Sequence, residues 1–361
     1  MGEGESDLAR LRLIRSPRIG PVTYRQLIAR FGNAEAALDA LPALAMRGGG
    51  AAPVIVDASV ARREMAAAAK LGARHLFLGD SDYPALLAEL ENAPPALIVR
   101  GDVSLAHRPC AAMVGARNAS AAACRFARQL AQGLAEAGVT VVSGLARGID
   151  TAAHHGSISG GTVGVIASGI DIAFPPENRE LQERVATEGL LLAEQPPGAE
   201  PLARHFPSRN RIIAGLAQGT VVVEAAPRSG SLITARIANE AGREVMAVPG
   251  SPLDPRAQGC NLLIREGATL VQSVDDILEA IRPIDARAVR SPAGRFESEP
   301  AAEPDGVERR RIEGLLGPVP VPVDELIRQA GVPAAAVQLV LLELELAGRL
   351  ERHAGGRVSL S

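Results

Sequence analysis

The chain has almost no lysine. Lys70 is the only one, so arginine carries nearly all of the 38 positive charges, which stand against 41 acidic residues and give a net charge of −3. This near balance creates no global basic field that would indicate a nucleic-acid partner. A site for a polyanion therefore has to be a local cluster of arginines.

Aromatic residues are also scarce. They make up 2% of the chain, and tryptophan is absent. A stacked base needs an aromatic ring or an arginine plane against it. The composition therefore argues against a broad base-stacking platform.

Motifs of catalysis are missing as well. The sequence contains no nucleophile elbow, no HExxH helix and no Walker lysine. The adjacent His154 and His155 would point about 100° apart on a helix, so they cannot share one metal ion. We expect no catalytic residue, no bound metal and no cofactor.

The cysteines bear on the cellular compartment. Cys110, Cys124 and Cys260 show no CxxC spacing, and an odd number without a metal-binding pattern is typical of reduced thiols in the cytoplasm. No stretch approaches transmembrane length, and the acidic residues 1–7 do not resemble a secretory leader. We expect a cytoplasmic protein without membrane association.

Between residues 113 and 248, short and continuously apolar segments alternate with helical ones. Strands buried on both faces have this composition, and the alternation predicts right-handed crossovers and a parallel sheet. The loops that leave such strands gather at one edge of the sheet, where ligands bind. The predicted strands are Ala111–Val114, Val139–Val142, Val163–Ile166, Leu190–Leu192, Val221–Val223 and Val245–Val248.

The loops after these strands are rich in glycine, serine and arginine. Glycine allows close approach of the backbone, a helix start offers free amides, and arginine offers a fork for phosphate. Each loop alone is explained just as well by a turn and a helix cap. Four of them at one edge predict an anion- or phosphate-binding surface. They cover residues 115–118, 143–150, 167–178 and 227–231.

A further cluster lies between two of the strands. Arg209 and Arg211 flank Asn210, close to an aromatic ring. The guanidinium groups suit phosphates, the amide suits hydrogen bonding, and the ring suits stacking. The alternative is that Arg209 or Arg211 pairs with an acid such as Glu194 or Glu224.

Both ends of the chain have helical patterns. A Gly-Pro turn at Gly20-Pro21 starts a helix in the first, and a Gly-tipped hairpin at Gly355-Gly356 follows three helices in the second, as in a winged helix. The predicted domains are a helical domain over 1–50, a lead-in packed on the sheet over 51–107, the α/β domain over 108–283, a linker over 284–305 and the winged helix over 306–361.

The third helix of the winged helix is unusual for a reader of DNA. It has no arginine before Arg349, and Glu343 and Glu345 would repel phosphate. We therefore hypothesise that this helix packs against protein.

Several long motifs occur in order along the α/β domain. They are Val114–Arg117, Ser143–Asp150, Ser168–Asp171 with Pro175–Asn178, Phe206–Ile213, Glu224–Ala225 with Ser229–Ala235, and Val248–Gly250 with Gly259–Asn261. Together they resemble the DNA-processing protein A family, also called DprA or Smf. The resemblance implies α/β architecture with an extended Rossmann-like, mainly parallel sheet. It also implies a flanking N-terminal domain similar to a sterile-alpha-motif or helix-hairpin-helix module, and a C-terminal winged helix.

The resemblance also implies a function. It is that of a homodimer, formed through the Rossmann-like domain, that binds single-stranded DNA without sequence preference. Such a protein acts as a recombination mediator and loads the RecA recombinase onto the strand in natural transformation. The DNA-binding residues expected from the resemblance and the loops are Gly115, Arg117, Ser143, Gly144, Arg147, Ser168, Gly169, Arg179, Arg209, Asn210, Arg211, Arg228 and Ser231.

Two other functions remain open at this point. One is a Rossmann-type enzyme that acts on a nucleotide or nucleoside phosphate, with Glu224 or Asp171 as the acid. The related hydrolases carry a GGxGTxxE motif, whereas Gly219–Glu224 is one residue longer and continues a strand. The other is an interaction scaffold in which the glycine-rich loops only pack.

Overall fold

The computed structural model describes residues 3–51, 53–282, 304–353 and 355–361. Its internal contacts divide the chain into two compact units, residues 62–286 and residues 1–61 with 287–361. The predicted linker, 284–305, lies outside the described residues except for its last two. The predicted domain limits stay predictions, and each unit is described by itself below.

The described residues form helices and strands in the following order. The helices are α1 (Glu3–Arg15), α2 (Pro21–Phe31), α3 (Ala34–Arg47), α4 (Ala58–Lys70), α5 (Ala85–Ala88), α6 (Ala121–Glu136), α7 (Ile149–Ser157), α8 (Arg179–Glu188), α9 (His205–Leu216), α10 (Gly230–Glu240), α11 (Gln258–Arg265), α12 (Val274–Ala280), α13 (Gly306–Gly314), α14 (Val323–Ala330) and α15 (Ala334–Leu346). The strands are β1 (Arg74–Phe77), β2 (Ala96–Gly101), β3 (Cys110–Gly115), β4 (Thr140–Ser143), β5 (Thr162–Ile166), β6 (Leu190–Ala193), β7 (Gly219–Val223), β8 (Glu244–Ala247), β9 (Thr269–Leu270), β10 (Val321–Pro322), β11 (Leu350–His353) and β12 (Arg357–Leu360).

The larger unit is built on a sheet of nine strands within the described residues, in the order β1-β2-β6-β5-β4-β3-β7-β8-β9. Strands β3 to β9 pair in parallel, and β1 and β2 add antiparallel pairs at one edge. The central strands are buried along their length because helices cover both faces. The α/β architecture with a mainly parallel, Rossmann-like sheet is confirmed.

The smaller unit joins the two ends of the chain. Helices α1 to α3 form one part, and α13 to α15 with the three-stranded sheet β10-β12-β11 form the other. Helix α2 has Pro21 in its first turn, a position where the missing N–H is not needed. An N-terminal helical domain and a C-terminal winged helix are both confirmed.

Helix α15 is apolar on two faces, so both have to be covered. One face lies in the core of the winged helix, and the other lies in the core of the N-terminal helices. The first core receives Val337, Val340, Leu341 and Leu344, and the second receives Leu339, Leu342 and Leu346. The third helix of the winged helix therefore packs against protein, as its lack of arginine indicates.

A buried carboxylate sits in the middle of this packing. The side chain of Glu343 is only 1% exposed and accepts hydrogen bonds from both terminal nitrogens of Arg309. Arg47 of α3 approaches the same carboxylate, with Nε 3.4 Å from Oε1. A helix that would carry cations in a DNA reader thus carries an anion paired with protein arginines.

We expect Glu343→Gln to destabilise the smaller unit by about 2 kcal/mol, because it leaves two arginines without their buried counter-charge. Hydrogen exchange on the full chain should show lost protection at the amides of α3 and α15, with the sheet of the larger unit unchanged. The matched control is Glu325→Gln, which breaks an exposed pair with Arg328 and should leave protection unchanged. Equal loss of protection in the two variants would contradict the role of Glu343 as a buried counter-charge.

Candidate nucleic-acid interface

A cavity lies where β3 and β7 end side by side. The chain leaves β3 toward β4 on one side and leaves β7 toward β8 on the other. The loops diverge there and open a crevice, which is where open α/β sheets bind ligands. The cavity has a volume of about 640 Å³. Of the residues predicted to bind DNA, those that line it are Gly115, Arg117, Arg209, Asn210, Arg228 and Ser231.

Glu224 fixes the backbone where β3 and β7 end. A Cβ on Gly115 would lie 1.9 Å from the carbonyl oxygen of Val223, so only glycine fits beside β7. Glu224 follows with a left-handed φ of 56°. Its carbonyl oxygen accepts a hydrogen bond of 2.7 Å from the Ala116 N–H, and its Oε2 accepts one of 2.7 Å from the Ser120 N–H. Glu224 thereby fixes both the first loop and the start of α6.

The floor of the cavity contains two buried charges, Asp150 and Arg209. Asp150 Oδ2 accepts hydrogen bonds from the N–H groups of Gly144 and Ala146, at 3.1 Å and 3.3 Å. A Cβ on Gly144 would lie 1.5 Å from Arg209 Nη1 and 2.8 Å from Asp150 Oδ2. Glycine at 144 therefore lets the loop after β4 pass against both side chains.

Each of these charges influences the other. Burial raises the pKa of Asp150, and the positive charge of Arg209 opposes that rise. Burial lowers the pKa of Arg209, and the negative charge of Asp150 opposes that fall. Arg209 Nε is buried and has no hydrogen-bond partner within the described part of the chain.

Three further arginines surround the cavity. Arg117 is exposed, with its guanidinium carbon 5.5 Å from the centre of the Phe206 ring. Arg228 is exposed and has a left-handed φ of 71° just before α10. Arg256 donates to Asp254, with its Nη2 2.9 Å from Oδ2, and its Nε lies 3.7 Å from Glu224 Oε1. Together they form a cationic rim around the buried Arg209.

The start of α10 completes the cavity. Ser229 is the N-cap residue, and its Oγ lies 2.7 Å from Ser231 Oγ. The first turn of a helix presents amides without intrahelical partners and the positive end of the helix dipole. Amides and arginines at one cavity form a site for an anion.

Sequence reasoning did not name Arg256. It lies in the loop between the motifs 248–250 and 259–261, and this position is the signal that could have marked it as a candidate. Its link to the site is Glu224, which lies 32 positions earlier in the chain. Neither pattern nor composition shows such a contact.

Other predicted residues do not line the cavity. Ser143 Oγ donates to the Met113 carbonyl oxygen and Ser168 Oγ donates to the Ile172 carbonyl oxygen, each at 2.7 Å. Both serines are buried, so they hold loops in place. Gly144 directly follows β4, Gly169 lies in the loop after β5, and Arg179 is exposed at the start of α8.

Arg211 pairs with an acidic residue, which was the alternative to phosphate binding. It is buried, and its Nη1 donates to the Asn92 carbonyl oxygen at 2.6 Å. Its Nη2 lies 2.5 Å from Glu194 Oε1. Both terminal nitrogens are thus engaged by protein oxygens.

Arg147 is exposed and carries a carboxylate partner. Its Nε donates to Glu177 Oε1, and the side chains are 60% and 49% exposed. This hydrogen bond raises the pKa of Arg147 and lowers the pKa of Glu177. Glu177 therefore offsets a positive charge at the edge of the sheet where the cavity opens.

His154 lies behind the cavity, in α7. It is buried with Nδ1 2.7 Å from Thr162 Oγ1, and burial lowers its pKa to about 3. His155 is exposed. No group of His, Cys, Asp or Glu side chains in the described ranges is arranged to hold a metal ion. Within those ranges, no helix is both long and apolar enough to cross a membrane.

The domains match families in chain order. A family model described as DNA recombination-mediator protein A matches residues 74–282, more than half of the chain. The chain belongs to this family. Models described as the DprA-like N-terminal HHH domain and the DprA winged helix domain match residues 4–67 and 296–356. The resemblance stated from the motifs is confirmed.

Individual relatives agree with this assignment. Protein Smf of Escherichia coli (strain K12) is 39% identical over 290 residues, which cover 79% of this chain and 77% of that protein. DNA processing protein DprA of Streptococcus pneumoniae is 47% identical over 201 residues, covering 55% of this chain and 71% of that protein.

Solved structures agree as well. DNA processing protein A from Streptococcus pneumoniae superposes with a TM-score of 0.65 at 33% identity, covering 77% of this chain and 98% of that one. DNA processing protein A from Helicobacter pylori, described for its single-stranded DNA binding mode, superposes with a TM-score of 0.52 at 26% identity. It covers 57% of this chain and 94% of that one.

The buried His154 predicts a pH dependence of stability. Its folded pKa of about 3 lies below the ordinary 6.5, so unfolding takes up a proton between those values. The unfolding free energy should therefore fall as pH drops from about 6.5, by about 1.4 kcal/mol per pH unit from this group. His154→Gln should remove that part of the slope in denaturant unfolding across pH.

The control for this prediction is His155→Gln. That ring is exposed, so the variant should remove less of the slope than His154→Gln does. An unchanged slope in His154→Gln would show that the ring is not held neutral in the folded state.

Proposed function

We propose that this protein binds single-stranded DNA without sequence preference in the crevice between β3 and β7, and that it acts as a recombination mediator rather than an enzyme. The observation that carries the proposal is the gathering of four arginines at one cavity with the first turn of α10. They are Arg117, Arg209, Arg228 and Arg256. Guanidinium groups and backbone amides recognise phosphates, which carry no sequence information.

The residues divide into two roles in this proposal. Contacts to the strand come from the cavity lining, and the buried residues position the loops that provide those contacts. The proposed contacts are Gly115, Arg117, Asn210, Arg228, Ser231 and Arg256, with Arg147 and Arg179 outside the cavity. The proposed positioning residues are Ser143, Gly144, Ser168, Gly169 and Arg211, and Arg209 serves as the charged floor.

The acids proposed for an enzyme are already engaged. Glu224 Oε2 accepts the Ser120 N–H, and its side chain is 10% exposed. Asp171 Oδ1 accepts the N–H of Gly198 at 2.8 Å. A general acid has to reach the substrate with a proton to give, so these hydrogen bonds favour binding over catalysis.

The mediator role rests on the family that the chain belongs to. We propose that the protein loads the RecA recombinase onto single strands in natural transformation and works in the cytoplasm as a homodimer of the Rossmann-like unit. The sheet edge at β9, where Leu270 is 42% exposed, supports a protein contact in that unit. Sedimentation measures the dimer, and recombinase assembly on protected single strands measures loading. A monomer, or no gain in assembly, would contradict these two parts.

Arg117→Ala should weaken single-strand binding about tenfold at every sequence tested, because a charge-assisted phosphate contact is lost. The slope of log affinity against log salt should become shallower by about 0.7, the contribution of one phosphate contact on a single strand. Anisotropy of labelled oligonucleotides at several salt concentrations measures both quantities.

The matched control is Arg184→Ala. The Arg184 side chain is 41% exposed, and it pairs with Glu188 one turn along α8. Its loss should leave affinity and slope unchanged. The crevice would be the wrong site if both variants behaved alike.

Glu177→Gln should raise single-strand affinity roughly threefold at low salt, because it releases Arg147 and removes a negative charge near the strand. The gain should shrink as salt increases. Glu183→Gln is the control, since it makes the same change in net charge but releases Arg100 from β2 instead. A similar gain in both would show that total charge, not Arg147, is responsible.

A further inference from the structure

The aromatic residues of this chain are few, yet two of them meet beside the cavity. The rings of Phe174 and Phe206 have centroids 5.7 Å apart and are tilted by 58°. Phe206 lines the cavity and carries the Arg117 guanidinium over its ring. Phe174 does not line the cavity, and it is 45% exposed. The pair therefore extends from the cationic pocket toward solvent.

The loop that carries Phe174 is fixed. The Asn178 side-chain amide donates to the Leu145 carbonyl oxygen at 2.8 Å and to Thr151 Oγ1 at 2.9 Å. These bonds tie the loop after β5 to the loop after β4 and to the first turn of α7. The exposed Phe174 therefore lies in a loop that is anchored to the proposed phosphate-binding loops.

Part of the Phe174 side chain is exposed to solvent and is not covered by protein. Phe206 meets it at a tilt rather than face to face, and Phe174 is 45% exposed, so part of its surface is accessible to a flat ligand. Every base has a π face, and stacking on aromatic side chains is tolerant of sequence. The neighbouring Arg117 would hold a phosphate of the same strand.

We propose that Phe174 and Phe206 form an aromatic shelf on which a base of the bound strand stacks, with Phe174 as its outer member. This proposal rests on the proposed function, and it adds a base-dependent contact to a site otherwise directed at phosphates. The composition argued against a broad stacking platform, and a shelf of two rings is a narrow one.

The test compares strands with and without bases. Anisotropy is measured for an oligothymidylate of about eight nucleotides, a length within the site sizes of single-strand binders, and for the same backbone made of abasic residues. Both are titrated with the full-length wild type, Phe174→Leu and Phe174→Tyr. Thermal unfolding of each variant checks that the fold is kept.

The expected result is specific to the base. Phe174→Leu should weaken binding of the oligothymidylate roughly tenfold, as expected for one stacked base, and should leave the abasic strand and the salt slope unchanged. Phe174→Tyr keeps the ring and should bind like the wild type. Equal weakening of both strands by Phe174→Leu, or no weakening of either, would overturn the shelf.

A second measurement does not depend on any variant. An oligonucleotide with 5-iodouracil bases is irradiated with the wild type, and the crosslinked peptides are identified by mass spectrometry. A crosslink at Phe174 supports the shelf, and crosslinks confined to other residues overturn it. If the wild type bound neither strand, the proposed function itself would fail, which is a different outcome from binding that ignores Phe174.

Discussion

The two buried charges at Asp150 and Arg209 are the constraint on which the crevice depends. They belong to α7 and α9, and the loop after β4 passes against both at Gly144. Helix α7, helix α9 and the loop after β4 thus contact one another at this point. Since burying one charge without the other is strongly unfavourable, loss of either partner should disturb the floor and the loop together.

The arginines of the rim differ from the buried floor in their exposure to solvent. Arg117 and Arg228 are exposed to solvent, whereas Arg209 is enclosed. Glu224 connects the two layers because its backbone and carboxylate hold the first loop and the start of α6. The backbone of the first loop and the start of α6 are thus held in place independently of any ligand. Preorganised groups gain affinity mainly by reducing the entropy lost when a ligand is held.

Much of the fold follows from short-range pattern. Segments such as Val221–Val223 are apolar at every position, which suits a strand covered on both faces. The edge where the loops gather follows from parallel topology. The fate of each arginine does not: Arg211 is taken by Glu194, 17 positions earlier, and Arg209 is enclosed beside Asp150. Such choices depend on contacts between distant residues, which have no periodic signature.

The two-faced helix α15 has a consequence for the order in which the protein is made. The N-terminal helices bury part of their core only against Leu339, Leu342 and Leu346. Ribosomes add about 5–20 residues per second, so these leucines emerge roughly tens of seconds after the helices that need them. The larger unit is synthesised in the interval. Until residues 339–346 have been synthesised, the N-terminal helices therefore lack the leucines that complete their core.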